Sequence, residues 1–365
     1  MGLIDVVARV AASRAHVLVA EVPGAFEERV ALERALEPMG WCIAESAADA
    51  DVLAVLGAPD EAFASVVDHV WAQMSEPRVR VHVQAGSEAT ALLDEVRERL
   101  RLGARRLTGP DVRRGFTPSA DAMAPEHDDQ DGAAAHGDHH DHDGGHDHSS
   151  MMMPDGIPLA EGAEDRDGLE MDELHLPLGP VLAHWPAGVV LRVTLHGDVV
   201  VDAEVEQLAA SGIGRRDDPA VRAARLLDAA GSVLALAGLP AEFARVRRLR
   251  DRCLDGELHD GHEVAQFGDR LGRRRVLRWV LSGLIAEGSH GGSEELHARL
   301  TALFEQARAE LDGDAVPPVA PAVQALPALV RGMELAEVRL WVAALGPDLA
   351  PGLADQEMPA EAAHG

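Results

Sequence analysis

The first hundred residues constrain the fold most, because three strand-length runs alternate there with amphipathic segments. HVLVAEV (16–22), DVLAVLG (51–57) and RVRVHV (78–83) have the length and apolar content of strands. FEERVALERALEPMG (26–40), DEAFASVVDHVWAQM (60–74) and EATALLDEVRERLRL (88–102) carry helical spacing, the first ended near Pro38 and Gly40. A strand that is apolar on both faces and is followed by a helix belongs in a parallel sheet covered on both sides. Residues 1–102 are therefore expected to form an α/β domain.

That alternation stops at 103. Residues 103–173 read as an acidic linker, with 17 acids and one arginine between 121 and 173. Its middle, 127–150, has no hydrophobic period and too little apolar surface to offset the entropy of ordering, so it is expected to be disordered. Within it His136, His139, His140, His142, His146 and His148 alternate with Asp138, Asp141, Asp143 and Asp147. Neutral imidazoles suit Ni and Zn, and a flexible chain can gather several around one ion. Nothing in the spacing fixes a geometry. Weak Ni or Zn binding and a solvated tether without a metal role both stay open.

From 174 the pattern changes to strands followed by helices. VVLRVTLHGDVVVDAEVE (189–206) reads as a β-hairpin turning at His196-Gly197-Asp198. Helices are expected at 218–238, 240–254, 272–287, 293–311 and 323–345, the last interrupted at Pro327. Asp218-Pro219 supplies an N-cap and a first-turn proline, and Gly238 a stop. Residues 174–350 thus form a second, α+β domain, a hairpin leading into a helical bundle, and 351–365 a loose tail.

A chain of 365 residues accommodates two such domains, and 47% hydrophobic content supports their cores. A net charge of −29 argues against nucleic acid as a partner, since phosphates need a basic face. Cys42 and Cys253 are the whole cysteine complement, which makes neither a disulfide framework nor a CxxC site and fits a reducing cytoplasm. No apolar run reaches the roughly 20 residues of a membrane span. Any association with the inner face of the membrane is therefore expected to run through partners.

Two segments resemble known proteins. In the small iron–sulfur subunit of respiratory complex I (NADH-quinone oxidoreductase), an Ala-Asp step opens a strand, a Gly turn closes it, and a helix ends in Gln-Met-x-Glu-Pro. Ala50-Asp51, Gly57-Ala58 and Trp71-Ala72-Gln73-Met74-Ser75-Glu76-Pro77 stand in that order here, within 49–78. Leu178-Gly179-Pro180, Gly188, Leu191-Arg192, Gly197-Asp198 and Ala203-Glu204 resemble the start of the neighbouring hydrogenase-like large subunit at the quinone site, and 223–239 its following helix.

The resemblances lack their redox ligands. The small subunit's cysteines follow its first and third strands, where this chain has Val22-Pro23-Gly24-Ala25-Phe26 and Gln84-Ala85-Gly86. Clusters are held by cysteine thiolates, commonly four. Cys42 stands at none of those positions and reads as a buried structural thiol. The large subunit needs a quinone-site tyrosine, and the chain has none; the paired CxxC motifs by which the related nickel-iron hydrogenases hold their metal are also missing. His184 lies one place from that family's first loop histidine and reads as a hairpin-loop or interface residue. No cofactor is expected in either folded domain and no catalytic residue is assigned. The resulting expectation is a redox-inert accessory or assembly subunit of a complex I-like or hydrogenase-type membrane complex, with the other subunits as partners. The alternative is a His-rich nickel or zinc store or chaperone; an active oxidoreductase ranks third.

Overall fold

The computed structural model describes residues 13–84, 89–107, 161–164, 170–208, 218–287, 293–314 and 323–349. The histidine run 136–148, the segment 85–88 and the tail from 350 lie outside them.

The N-terminal module follows the sequence pattern, with one short edge strand, Cys42–Ile43, that the pattern did not indicate. Strands β1 (His16–Glu21), β2 (Cys42–Ile43), β3 (Val52–Leu56) and β4 (Val79–Val83) form one sheet in the order β2-β1-β3-β4, every pair parallel. Helices α1 (Phe26–Leu36), α2 (Glu61–Gln73) and α3 (Ala89–Leu107) cover it. All five residues of β3 are buried, and they divide by parity. Val52, Ala54 and Leu56 face Leu32 and Leu36 of α1 and Leu93, Val96 and Leu100 of α3. Leu53 and Val55 share the opposite core with Phe63 and Val67 of α2. Asp60 caps α2, accepting from the Phe63 amide at 2.8 Å. The α1 helix closes at Leu36, one turn earlier than its apolar pattern suggests. Pro38 has no amide hydrogen with which to extend the ladder, and a short 3₁₀ turn, Glu37–Met39, ends on Gly40 at φ +68°. The closing helix runs on to Leu107, past the boundary expected at 102.

The second module has more sheet than the sequence indicates. A four-stranded antiparallel sheet, β5 (Glu161–Glu164), β6 (Glu170–Leu178), β7 (Val189–His196) and β8 (Val199–Gln207), runs in sequence order. The hairpin at Gly197 (φ +64°) is as expected. However, β5 and the start of β6 fall inside the stretch read as linker. Leu174, Leu176 and Leu178 alternate in β6 and pack on the core, and the acids around them obscure that period.

Helices α4 (Pro219–Leu236) and α5 (Pro240–Leu254) match expectation, with Asp218 capping α4 by accepting from the Val221 amide at 3.0 Å. Next, α6 (His262–Gly272) is a helix the sequence reading missed, because its interior glycine suggests a loop. The reason for that glycine is contact: a Cβ on Gly268 would stand 2.7 Å from Cβ of Phe304. The single helix expected over 272–287 is instead a short α7 (Arg275–Val280), a turn through Gly283 at φ +80°, and strand β9 (Ile285–Glu287) paired to β10 (Ser293–Glu295). After α8 (Leu296–Asp312), the last helical segment breaks into α9 (Leu326–Val330) and α10 (Leu335–Leu349). The break is at Gly332 (φ +85°) rather than at Pro327, which occupies the first turn of α9.

The modules share buried surface. Phe26 and Val30 of α1 belong to the core of the second module, alongside Val189, Ala223 and Leu227. Val190 and Leu208 of the second module complete the core on the α2 side of the first sheet. The α1 helix thus sends Leu32 and Leu36 into one module and Phe26 and Val30 into the other.

Candidate functional site

Between those two apolar stripes α1 carries Arg29 and Glu33, one turn apart, and they face charged residues of α4 and α5. The Nη2 of Arg29 lies 2.5 Å from Oδ2 of Asp228, its Nη1 donates to Oε1 of Glu33 at 2.6 Å, and its Nε to Oε2 of Glu21 at 2.6 Å. Arg250, only 1% exposed, donates from Nη1 to Oδ1 of Asp228 at 2.7 Å. Its Nη2 stands 2.8 Å from Oε2 of Glu33, an ion-pair contact without hydrogen-bond alignment. Arg34 extends the contact, donating to Oδ1 of Asp255 at 2.8 Å and to the Asp251 carbonyl at 2.6 Å. The modules are therefore joined by a sequestered ion network as well as by apolar packing.

The network sets the protonation of its members. Burial alone would lift the Asp228 carboxyl, but Arg29 and Arg250 overcome it and hold the group down to about 2. Glu33 is likewise lowered, burial being outweighed by Arg29 and Arg250. Glu21 goes the other way: burial raises it, and Arg29 only partly compensates.

A cavity of about 590 Å³ opens beside this network, walled by both modules. Pro23, Gly24 and Phe26 of the β1–α1 turn border it. The opposite wall is the 179–188 loop between β6 and β7. Two glycines shape that loop. Gly179 (φ +77°) lies against Trp185, whose Nε1 donates to the Val189 carbonyl at 2.7 Å, so any Cβ there would overlap the indole. Gly188 (φ +75°) meets the other module: a Cβ would sit 2.3 Å from Cγ of Pro23.

His184 lines the cavity in a left-handed backbone conformation, φ +60°, uncommon for a residue with a Cβ though least so for Asn, Asp and His. Its ring meets Phe243 edge-on at 5.4 Å. Burial lowers its pKa, with the nearby charges of Asp228 and Arg29 pulling in opposite directions. The imidazole is therefore neutral at neutral pH. Arg225 also lines the space, stacked over Phe26 at 5.4 Å, with Nε and Nη1 shielded from solvent and without hydrogen-bond partners. The arrangement suits enclosure of a small, partly apolar molecule. Glu21 and His184 are lining groups whose uncharged forms burial favours, the carboxyl's pKa being raised and the imidazole's lowered.

The two cysteines divide unexpectedly. Cys42, read from sequence as a buried thiol, is exposed: it sits on the two-residue edge strand β2 and borders the cavity. Cys253 is the buried one, with burial pushing its thiol up to about 12. His184 is found at the module interface, as its loop position suggests. The histidines 136, 139, 140, 142, 146 and 148 lie outside the described residues, and among the described residues no group of three or more His, Cys, Asp and Glu is arranged to hold a metal ion. Arg29, Glu33, Asp228 and Arg250 escaped the sequence reading, because charges on amphipathic helices look like solvated faces until a second module covers them. No family model, curated protein or solved structure matches the chain.

Proposed function

We propose that the chain is a redox-inert fusion, related to two adjacent complex I-type subunits, that serves as an accessory or assembly component of a membrane-bound complex of that kind. The observation that carries this reading is the shared interface. The two segments that resemble neighbouring subunits lie in modules that share α1, a buried ion network and a cavity. In complex I the small and large subunits pack against each other. A fusion with the same company would keep that contact and could present the surfaces by which the pair meets its neighbours.

The loss of redox ligands is compatible with a stable fold. The β1–α1 turn is held by backbone bonds, Val22 N to the Leu56 carbonyl at 3.1 Å and Ala25 N to the Val22 carbonyl at 3.0 Å. The sheet beneath it is filled by Val, Leu and Ala side chains. Deleting the gene and resolving native membrane complexes by electrophoresis tests the proposal. A complex I-like or hydrogenase-type assembly should become smaller or fail to accumulate; an unchanged pattern with unchanged activity would refute it.

A further inference from the structure

We propose that the α7 region is a direct docking site for an anionic lipid surface. Leu277 and Leu281, one turn apart, are buried at 1% and 0%, which fixes one side of α7 against the core. The residues turned away are apolar as well: Val276 is 61% exposed, Trp279 78%, and Ile285 in the following strand 50%. Three of the five large hydrophobic side chains exposed among the described residues thus fall in one short stretch. The other four tryptophans, Trp41, Trp71, Trp185 and Trp341, are buried or half-buried. Leaving an indole in water is unfavourable, and an exposed apolar group with a basic surround marks an interaction face.

The surround gives the chemistry of the partner. Five arginines, 270, 273, 274, 275 and 278, stand within 269–281 against one acid of that stretch, Asp269, in a chain of net charge −29; the exposed glutamates of β10, with Glu295 opposite Ile285, lie on the far side of Ile285 from the helix in sequence. Arg274 is bound to Glu242 and Arg273 to Asp269. Arg270, Arg275 and Arg278 are exposed and have no carboxylate partner among the described residues. Tryptophan settles at the headgroup level of a bilayer, and arginine beside it attracts anionic lipid, so the two residue types together fit a lipid interface. The chain's overall negative charge does not prevent this, since charges beyond roughly 10 Å are screened at moderate ionic strength. The sequence led us to expect membrane association only through partners; this contact is direct and does not rest on the function proposed above.

The full chain is mixed with vesicles of phosphatidylcholine alone and with vesicles containing phosphatidylglycerol, and sedimented. Binding is expected only to the anionic vesicles and should be lost at high salt, with tryptophan emission shifted to the blue and quenched by brominated lipid. Trp279→Ala should abolish the shift, and Arg275→Gln with Arg278→Gln should weaken binding about thirty-fold, taking each arginine as about 1 kcal/mol near such a surface. All three side chains are exposed, so the variants should melt like the parent, and Trp279→Phe should retain binding. Absence of binding to anionic vesicles, or equal binding by the variants, overturns the proposal. So does an outcome in which the same substitutions release a protein partner while leaving vesicle binding unchanged.

Discussion

Replacing Asp228 by Asn probes the contact between the modules with almost no change of shape. The carboxylate accepts from Arg29 and Arg250, and Arg250 is 1% exposed, so that cation cannot turn to water for compensation. Holding the carboxyl at about 2 rather than its ordinary 3.8 corresponds to roughly 2–3 kcal/mol of folded-state stabilisation. Removing one partner from a buried pair costs about 3–5 kcal/mol, so the loss for Asp228→Asn should fall at about 2–4 kcal/mol near neutral pH. The pH dependence is a sharper signature than the size. Because the folded value is depressed, this stabilisation is complete above about pH 4 and is lost as the pH falls through about 2. Glu21 has the opposite sign: its raised folded value favours the fold below its unfolded pKa, and that advantage is lost as pH rises through the folded value. Asp228 itself contributes to raising Glu21, so the variant also reduces that opposite term, which acts at higher pH than the loss near 2. Urea unfolding followed by tryptophan emission, repeated from neutral pH to about pH 2, supplies the measurement. A difference below about 1 kcal/mol at neutrality, or one that does not shrink in acid, would refute the ion network as described.

Gly188→Ala should destabilise the chain by roughly 1–3 kcal/mol, because it combines φ +75° with a Cβ pressed into Pro23; an unchanged melting temperature would show that the modules do not approach there. Thiol titration of the native chain should label Cys42 and spare Cys253, whose thiol is pushed up to about 12, until the protein unfolds; two fast-reacting thiols would contradict the burial assigned to α5. Deleting 127–153 should remove several weak Ni or Zn sites, whose binding in the intact chain weakens as pH falls through about 6.5, where imidazole protonates. Equal binding by the deletion, measured by calorimetry, would leave the histidines without a metal role.

The N-terminal sheet was legible because its central strand is apolar through both faces and the first two helices carry boundary signals at Pro38 and Asp60, whereas the two-residue edge strand Cys42–Ile43 is too short to show a pattern. The second module was only half legible. Its hairpin and the cap at Asp218 could be read directly, whereas β6 hid its alternate leucines among acids and α6 hid behind a glycine that exists to admit Phe304. The glycines of the loop beside the cavity, Gly179 and Gly188, were visible as part of a resemblance, but their purpose was not. It lies in contacts with Trp185 and Pro23, the latter more than 160 residues away. Charged residues gave the least warning. Arg29 resembles any solvated arginine until α4 is brought against it, since pairing over such a separation leaves no local periodicity.

The central claim concerns company, and the most direct measurement is affinity purification of the full chain from the native membrane fraction, with co-purifying proteins identified by mass spectrometry. The account predicts enrichment of subunits of one respiratory or hydrogenase-type complex, in near-constant proportion to the chain. The same preparation, made anaerobically, should contain no tetranuclear iron–sulfur cluster bound by this chain, which lacks the thiolates that such clusters use. Recovery of the chain as a free monomer with no such subunit enriched, or with about four irons and matching sulfide of its own, would contradict it.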